Sequence, residues 1–292
     1  MRIHDSIELY LADKAVYCAP DSVRYYREAL SLFLFWCSKE GYLQVEQLQV
    51  DVLKSYAAYL RNTRQIKATS IHTNFRAVNN YIQFLIEQGF LQKFNYKIKL
   101  PKPDPALVMP LSSSEVQQII RCIASRNVNN IRDMLLFRLM LDCGLRSSEA
   151  RKLTLPDLDM EKKLIKIVDS KFSKSRLLPM PEVIHILARL YLSDAGSCRK
   201  YVFQDAAGSP MNANALKQFF AKLKKRSGVP RVHAHLLRHT FATSYMISHS
   251  NIEYLRLYLG HEDYDVTKGY IHLASQCLLT HYDCYRIDGC FV

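Results

Sequence analysis

His235-Leu236-Leu237-Arg238-His239-Thr240, followed by Leu259-Gly260-His261 and then Tyr270, gathers three histidines and an arginine around one tyrosine in about forty residues. Those are the groups needed to hold and break a phosphodiester without a metal. His235 and Arg238 stand three apart on one helix and so share a face. The pair His235 and His239 has the i, i+4 spacing of a zinc helix, but the glutamate of that motif is missing and no acidic residue follows before Glu253. No metal site is expected. His261 follows a Leu-Gly helix end, where capping and catalysis suit it equally. Tyr270 is one of 18 tyrosines and stands nine residues after His261. A phenol with a pKa of about 10 attacks phosphorus only where cations and donors surround the phosphate. The preceding motifs supply such groups.

Upstream, Gly144-Leu145-Arg146-Ser147-Ser148-Glu149-Ala150 reads as a helix stop, an arginine and a helix start. A guanidinium at a helix N-terminus adds two parallel donors for an anion, and a structural Arg146–Glu149 pair explains the spacing as well. Leu164 to Val168 is β-rich and Ser175 to Pro179 is its expected partner strand, with Lys171-Phe172-Ser173-Lys174 in the turn. A turn lysine is ordinarily just solvated, yet a mobile ammonium there reaches a departing oxygen. Residues 161–226 hold 14 Lys or Arg against 5 Asp or Glu, which makes the hairpin and the helix ending Lys222-Leu223-Lys224-Lys225-Arg226 the basic face of the second domain. After Pro181 the pattern is helices with short connections.

Residues 1 to about 90 read as a compact helical domain. Ile3, Ile7, Leu11 and Val16 mark one amphipathic helix, Pro20-Asp21-Ser22 starts a second, Leu48 to Leu60 makes a third, and Thr69-Ser70 caps a fourth that ends at Gly89. Arg61, Arg64 and Lys67 lead into that fourth helix, whose outer face carries Asn74, Arg76, Asn79 and Asn80 opposite Ile71, Phe75, Val78, Ile82 and Leu85. Short polar donors among arginines suit phosphate and base-edge contacts, and a solvated face equally. Leu91 to Pro110 holds four prolines and four lysines, among them Lys97, and reads as an extended basic linker. The boundary therefore falls near residue 105.

The net charge of +13 on 292 residues favours a polyanionic partner. The eight cysteines contain no CxxC pair and sit mostly in apolar helical patterns, which suits a reducing compartment. Met1-Arg2-Ile3-His4-Asp5 lacks an apolar core of a secretory signal, and no run reaches the length of a membrane span, so a cytoplasmic location is expected.

Five motifs stand in order over about residues 110–275: Gly144-Leu145-Arg146 with Glu149-Ala150; Lys171 ahead of Lys174-Ser175-Arg176-Leu177-Leu178-Pro179; His235 to Thr243; Leu259-Gly260-His261; and Tyr270-Ile271-His272-Leu273. Together they resemble the tyrosine recombinase (phage integrase) family, in layout the Xer-like recombinases and transposon-encoded integrases. The resemblance implies a mainly α protein: residues 1–105 as a helical, SAM-like core-binding domain with its linker, and 106–292 as an α+β catalytic domain with a small antiparallel sheet and a C-terminal protomer-exchange helix. It implies Tyr270 as nucleophile forming a 3′-phosphotyrosyl link, with Arg146 and Arg238 on the non-bridging oxygens. His261 would add a hydrogen bond, His235 would assist proton transfer, Lys171 would be the general acid and Glu149 a support.

Further DNA contacts are expected from Arg61, Arg64, Lys67, Asn74, Arg76, Lys97, Lys174 and Arg176. The turn reads Ser170-Lys171-Phe172 where many relatives have Gly-Lys-Gly, so Lys174 is a rival for the acid. Leu278, Leu279, Tyr282 and Tyr285 supply a stripe for a neighbouring protomer or for the chain's own core. An arm-binding domain of the lambda kind is not expected ahead of residue 1. The expected partners are double-stranded DNA with inverted-repeat core sites, three further copies of the chain on that DNA, and accessory DNA-bending proteins; the chain alone is expected as a monomer, with no cofactor. The competing reading is a type IB topoisomerase or telomere resolvase with the same tyrosine chemistry. A binding module without catalysis is disfavoured because every catalytic position is filled.

Overall fold

Ile3, Ile7 and Leu11 recur at helical spacing, and with Tyr10 they form the buried stripe of the first helix, α1 (Ile3–Tyr17). Val16 falls off that stripe and is exposed, because continuing the period from Leu11 leads to positions 14 and 15 instead. The computed structural model describes residues 1–102, 108–125, 130–168, 175–193, 199–249, 251–260 and 270. The chain divides into two units, Met1–Ala106 and Leu107–Val292.

The first unit is all helical: α1, then α2 (Pro20–Lys39), α3 (Val50–Ala58) running into a π turn at Tyr59–Thr63, and α4 (Ala68–Glu87). Pro20 opens α2 at a position where its missing N–H costs no hydrogen bond. The core is aromatic: Tyr56 packs against Phe33 and Trp36 with ring centroids 4.9 and 5.1 Å apart. Two buried hydroxyls of this core pair with each other, those of Ser6 and Tyr81. The Ser6 hydroxyl donates to the Ile3 carbonyl, so the Tyr81 phenol must donate the 2.5 Å bond that joins it to Ser6 Oγ.

The same need for polar satisfaction corrects two expectations about α4. The helix begins at Ala68 with Lys67 before it, and Thr69 and Ser70 lie in its first turn rather than capping it. Asn74 does not face outward: Tyr56 Oη donates to its Oδ1 at 3.0 Å and its Nδ2 donates to the Ala29 carbonyl at 3.2 Å. Asn80 likewise donates to Tyr26 Oη. Their amides join helices, and a group already holding two internal partners is a poor reader of DNA. Arg61, Arg64, Lys67, Arg76 and Lys97 are exposed. After α4 the chain packs alternate residues, Phe94, Tyr96, Ile98 and Leu100, against this core while Lys93, Lys97 and Lys99 stay exposed. This period of two is that of an extended strap, and the His72 ring holds the strap at the Pro101 carbonyl, 2.8 Å away.

The second unit is built on α5 (Ser113–Ala124) and α6 (Asn130–Asp142), followed by the short α7 (Ser147–Lys152). Ser112 and Glu115 close a reciprocal capping box on α5. Six of the seven residues from Leu135 to Leu141 are buried, Arg138 being the exception, so α6 is the central helix of this unit. It stops at Gly144, whose φ of +60° suits glycine and whose position leaves no room for a side chain: a Cβ would lie 2.6 Å from the Phe241 ring.

A three-stranded antiparallel sheet follows, β1 (Leu158–Asp159), β2 (Leu164–Val168) and β3 (Ser175–Pro179), in that spatial order, with Ile165 opposite Leu178. The two strands read from sequence are present; β1 is an addition. The remaining helices are α8 (Glu182–Ser193), α9 (Ala213–Ser227), α10 (Ala234–His249) and α11 (Ile252–Leu259). Their connections are not all short. Residues 199–211 form irregular backbone with bridges from Tyr201 to Thr154 and from Gln204 to Pro210, turned by Asp205 Oδ1, which accepts the N–H groups of Ala207 and Ser209.

Candidate active site

The C-terminal end of α11 organises the site. A helix ends with carbonyls that lack intrahelical partners and carry partial negative charge. Here three successive carbonyls each receive one arginine: Arg176 Nε donates to Tyr258 O at 2.7 Å, Arg238 Nη2 to Leu259 O at 2.8 Å, and Arg146 Nη2 to Gly260 O at 2.8 Å. Gly260 closes the helix at φ +64°, and a Cβ there would press to 3.0 Å from the Arg176 guanidinium. The three arginines come from a helix start, a strand and a helix, and α11 gathers them.

Glu149 occupies the space between two of them. Its side chain is 6% exposed. It accepts from the Arg146 backbone N–H at 2.7 Å and Arg146 Nη1 at 2.9 Å, and it takes both Arg176 Nη groups, at 2.8 and 2.9 Å. Such a bidentate fork fixes the plane of the guanidinium. Burial pushes this carboxyl up, but Arg176 and then Arg146 outweigh it and hold the group at about 2. The structural Arg146–Glu149 pair is therefore present, and it leaves the Arg146 side chain 33% exposed.

Arg176 corrects an expectation. Its side chain is 13% exposed and three of its nitrogens are engaged by Glu149 and Tyr258, so it is an internal brace rather than a DNA contact. The strand pattern carries a signal that the charge count hides: in β3 the inward residue is Leu178, and period two puts Arg176 on the same face.

This geometry fixes a pH dependence. A carboxyl depressed in the folded state contributes stability above its unfolded pKa, and that contribution fades as pH falls from about 4.5 to about 2. Glu149→Gln is expected to unfold more easily at pH 7 by about 3 kcal/mol, and to show a shallower loss of stability across that acid window. Urea titrations of both proteins at several pH values check it; parallel curves would contradict the assignment.

Arg238 lies deeper, 4% exposed, on α10. Its Nη1 donates to the Gly144 carbonyl at 2.7 Å, so the helix stop before Arg146 and the end of α11 share one guanidinium. Burial and then the neighbouring Arg146 bring its pKa down to about 10, leaving it cationic at neutral pH.

Tyr270, 6% exposed, packs in a cluster with Phe241, Ala242, Met246, Leu255 and Leu259. Burial raises its phenol above the usual range, and the Arg238 charge opposes that rise. His235 is exposed on α10, with its pKa lowered by partial burial and by Arg238 and His233, so its imidazole is neutral at pH 7 and able to take a proton. His239, the other half of the i, i+4 pair, packs against the tyrosine: the rings are 5.1 Å apart, whereas His235 and His239 are separated by 6.4 Å. Arg146, Glu149, Arg238 and Tyr270 are thus brought together. Lys171, Lys174, His261 and the Leu278, Leu279, Tyr282 and Tyr285 stripe lie outside the described residues.

Comparison with known proteins agrees in both units. The model of the phage integrase family matches residues 110–276, and that of the phage integrase N-terminal SAM-like domain matches residues 7–89. Among curated relatives, tyrosine recombinase XerC of Xanthomonas campestris pv. campestris is 28% identical over 261 residues, covering 88% of this chain and 80% of that protein. Among solved structures, the Tn1549 transposon integrase in complex with circular intermediate DNA has a TM-score of 0.75 at 17% identity, covering 92% of this chain and 95% of that one. The XerH site-specific recombinase bound to palindromic difH substrate has a TM-score of 0.76 at 20% identity, covering 91% and 80%. These two likenesses are of fold.

Proposed function

The chain belongs to the phage integrase family of tyrosine recombinases, and from that premise we propose that it exchanges strands between paired DNA core sites, with Tyr270 as the nucleophile. The observation that carries this reading is the meeting of Arg146, Arg238 and their Glu149 support at the end of α11, with Arg238 beside the buried phenol of Tyr270.

In the proposed reaction Tyr270 Oη attacks the scissile phosphorus and the bond to the 5′ oxygen breaks, giving a 3′-phosphotyrosyl link and a free 5′-hydroxyl. Arg146 and Arg238 hold the non-bridging oxygens, where negative charge builds in the transition state. Their carbonyl contacts orient each guanidinium before DNA arrives, so little reorganisation remains for the chemical step. His235, neutral at pH 7, takes the phenolic proton, and His261 adds a hydrogen bond to the phosphate. Lys171 protonates the 5′ oxygen. A 5′-hydroxyl from the partner duplex then attacks the phosphotyrosine and releases Tyr270. The phosphodiester energy is conserved in the covalent link, so the exchange draws on neither ATP nor a metal.

The exposed Arg61, Arg64, Lys67, Arg76 and Lys97 of the first unit suit contacts to the DNA backbone, which neutralise phosphates without reading sequence. Four protomers on two inverted-repeat core sites, each chain a monomer before binding, is the proposed assembly. The C-terminal stripe is its proposed link between protomers, and accessory bending proteins assist. Among the described residues no helix is long and apolar enough to cross a membrane; the cytoplasm is the proposed location.

The assignment of the acid has a direct test. Lys171→Ala is expected to slow cleavage of a nicked suicide duplex by about 10²-fold or more. A 5′-phosphorothiolate, whose sulfur leaves without a proton, is expected to restore it. Rescue of Lys174→Ala instead would move the role to Lys174.

A further inference from the structure

His239 has no part in the reaction just described, yet its ring is in contact with Tyr270. Its ring is held at the other edge as well. Nε2 lies 2.8 Å from the Val108 carbonyl, and a carbonyl only accepts, so Nε2 must carry the proton and donate. That fixes both the tautomer and the plane of the ring. Burial, with the charges of His235 and His233, lowers the pKa of this imidazole against the opposing pull of the Val108 bond and keeps it neutral near pH 7.

The anchor at Val108 is itself firmly seated. Arg231 donates to the Met109 and Pro110 carbonyls at 2.6 and 2.7 Å and pairs with Glu115. The Leu111 N–H donates to Thr240 Oγ1 at 2.9 Å. Residues 108 to 111, where the chain enters the second unit, are therefore each tied to α10, the loop just before it, or the cap of α5. Thr240 follows His239 directly, so two adjacent residues of α10 grip the two ends of this segment.

We infer that His239 is a positioning residue for Tyr270, holding the phenol ring against α10 and tying its place to the seated backbone at Val108. The inference rests on the reading of Tyr270 as nucleophile. The ring face sets where the phenol oxygen points relative to Arg238, and the Val108 bond sets where the ring is. Displacing segment 108–111 would free the imidazole and loosen the nucleophile without touching Arg146 or Arg238.

Two substitutions separate the halves of this arrangement. His239→Phe keeps a ring against Tyr270 and loses the donor to Val108. His239→Gln keeps a donor, and so keeps the segment seated and the fold protected, but loses the ring. Cleavage of a nicked suicide duplex is measured in single turnover over a range of protein concentrations. Both variants are expected to cleave about tenfold more slowly at saturation, as slight misplacement of a reacting group does, with an unchanged half-saturating concentration. Wild-type saturating rates would overturn the inference. A rate lost together with site binding would also overturn it, since that marks a merely structural residue. Tyr270→Phe runs alongside: adducts in that variant would sink the nucleophile assignment itself, whereas their absence, with undiminished cleavage by the His239 variants, sinks only the positioning role.

Discussion

Replacing Arg238 by alanine is expected to lower the saturating rate of strand cleavage by about 10³-fold and to cost about 3 kcal/mol in stability. The two effects have separate causes. For stability, Arg238 bridges the Gly144 and Leu259 carbonyls from a site only 4% exposed, and its loss leaves both without their donors. For the rate, this guanidinium is the cation beside Tyr270 and a proposed ligand of the phosphate, so its contribution is greatest in the transition state. Arg238→Lys tells them apart from charge alone. A lysine keeps the positive charge but has one nitrogen, which cannot span two carbonyls in the plane of a guanidinium fork. It is expected to remain about 10²-fold impaired while binding the site normally. Wild-type cleavage by Arg238→Lys would show that charge suffices and that the helix-end geometry is incidental.

The arrangement also explains why Arg146 and Arg238 need the parts that surround them. Arg146 leans on Glu149 and Gly260, Arg238 on Gly144 and Leu259, and Glu149 is itself steadied by Arg176. Three like charges would repel one another; one buried carboxylate and three carbonyls at the negative end of α11 offset that repulsion.

Local pattern carried much of the fold. The spacing of Ile3, Ile7 and Leu11, the proline that opens α2 and the glycine after α6 place helices where they are found, and the β-rich run from Leu164 meets its partner at Ser175 to Pro179. The motifs likewise named Arg146, Glu149, Arg238 and Tyr270, which the fold brings together. What escaped depended on partners distant in sequence. Asn74 reads as an outward amide until Tyr56 and the Ala29 carbonyl, 18 and 45 residues away, are set against it. Arg176 reads as one more basic residue of a basic hairpin until Glu149, 27 residues earlier, takes its fork. His239 gains a role only from Tyr270 and Val108, neither of which its own helix predicts.

Tyr270→Phe is expected to abolish the covalent intermediate altogether. The change removes one oxygen, the one proposed to form the bond to phosphorus, and no neighbouring group can replace it by taking up a share of the work. The ring, its packing with Phe241 and Leu255 and its contact with His239 are all retained, so the fold and the affinity for DNA should stay as they were. Loss of chemistry with retained binding is the signature of a nucleophile rather than of a core residue.

The most direct measurement is therefore to trap the wild-type protein on a nicked duplex carrying its core site, digest the adduct and locate the phosphorylated residue by mass. The expected result is a 3′-phosphotyrosyl link at Tyr270 and no adduct in Tyr270→Phe. A covalent link on any other residue, or adducts that persist in the phenylalanine variant, would contradict it.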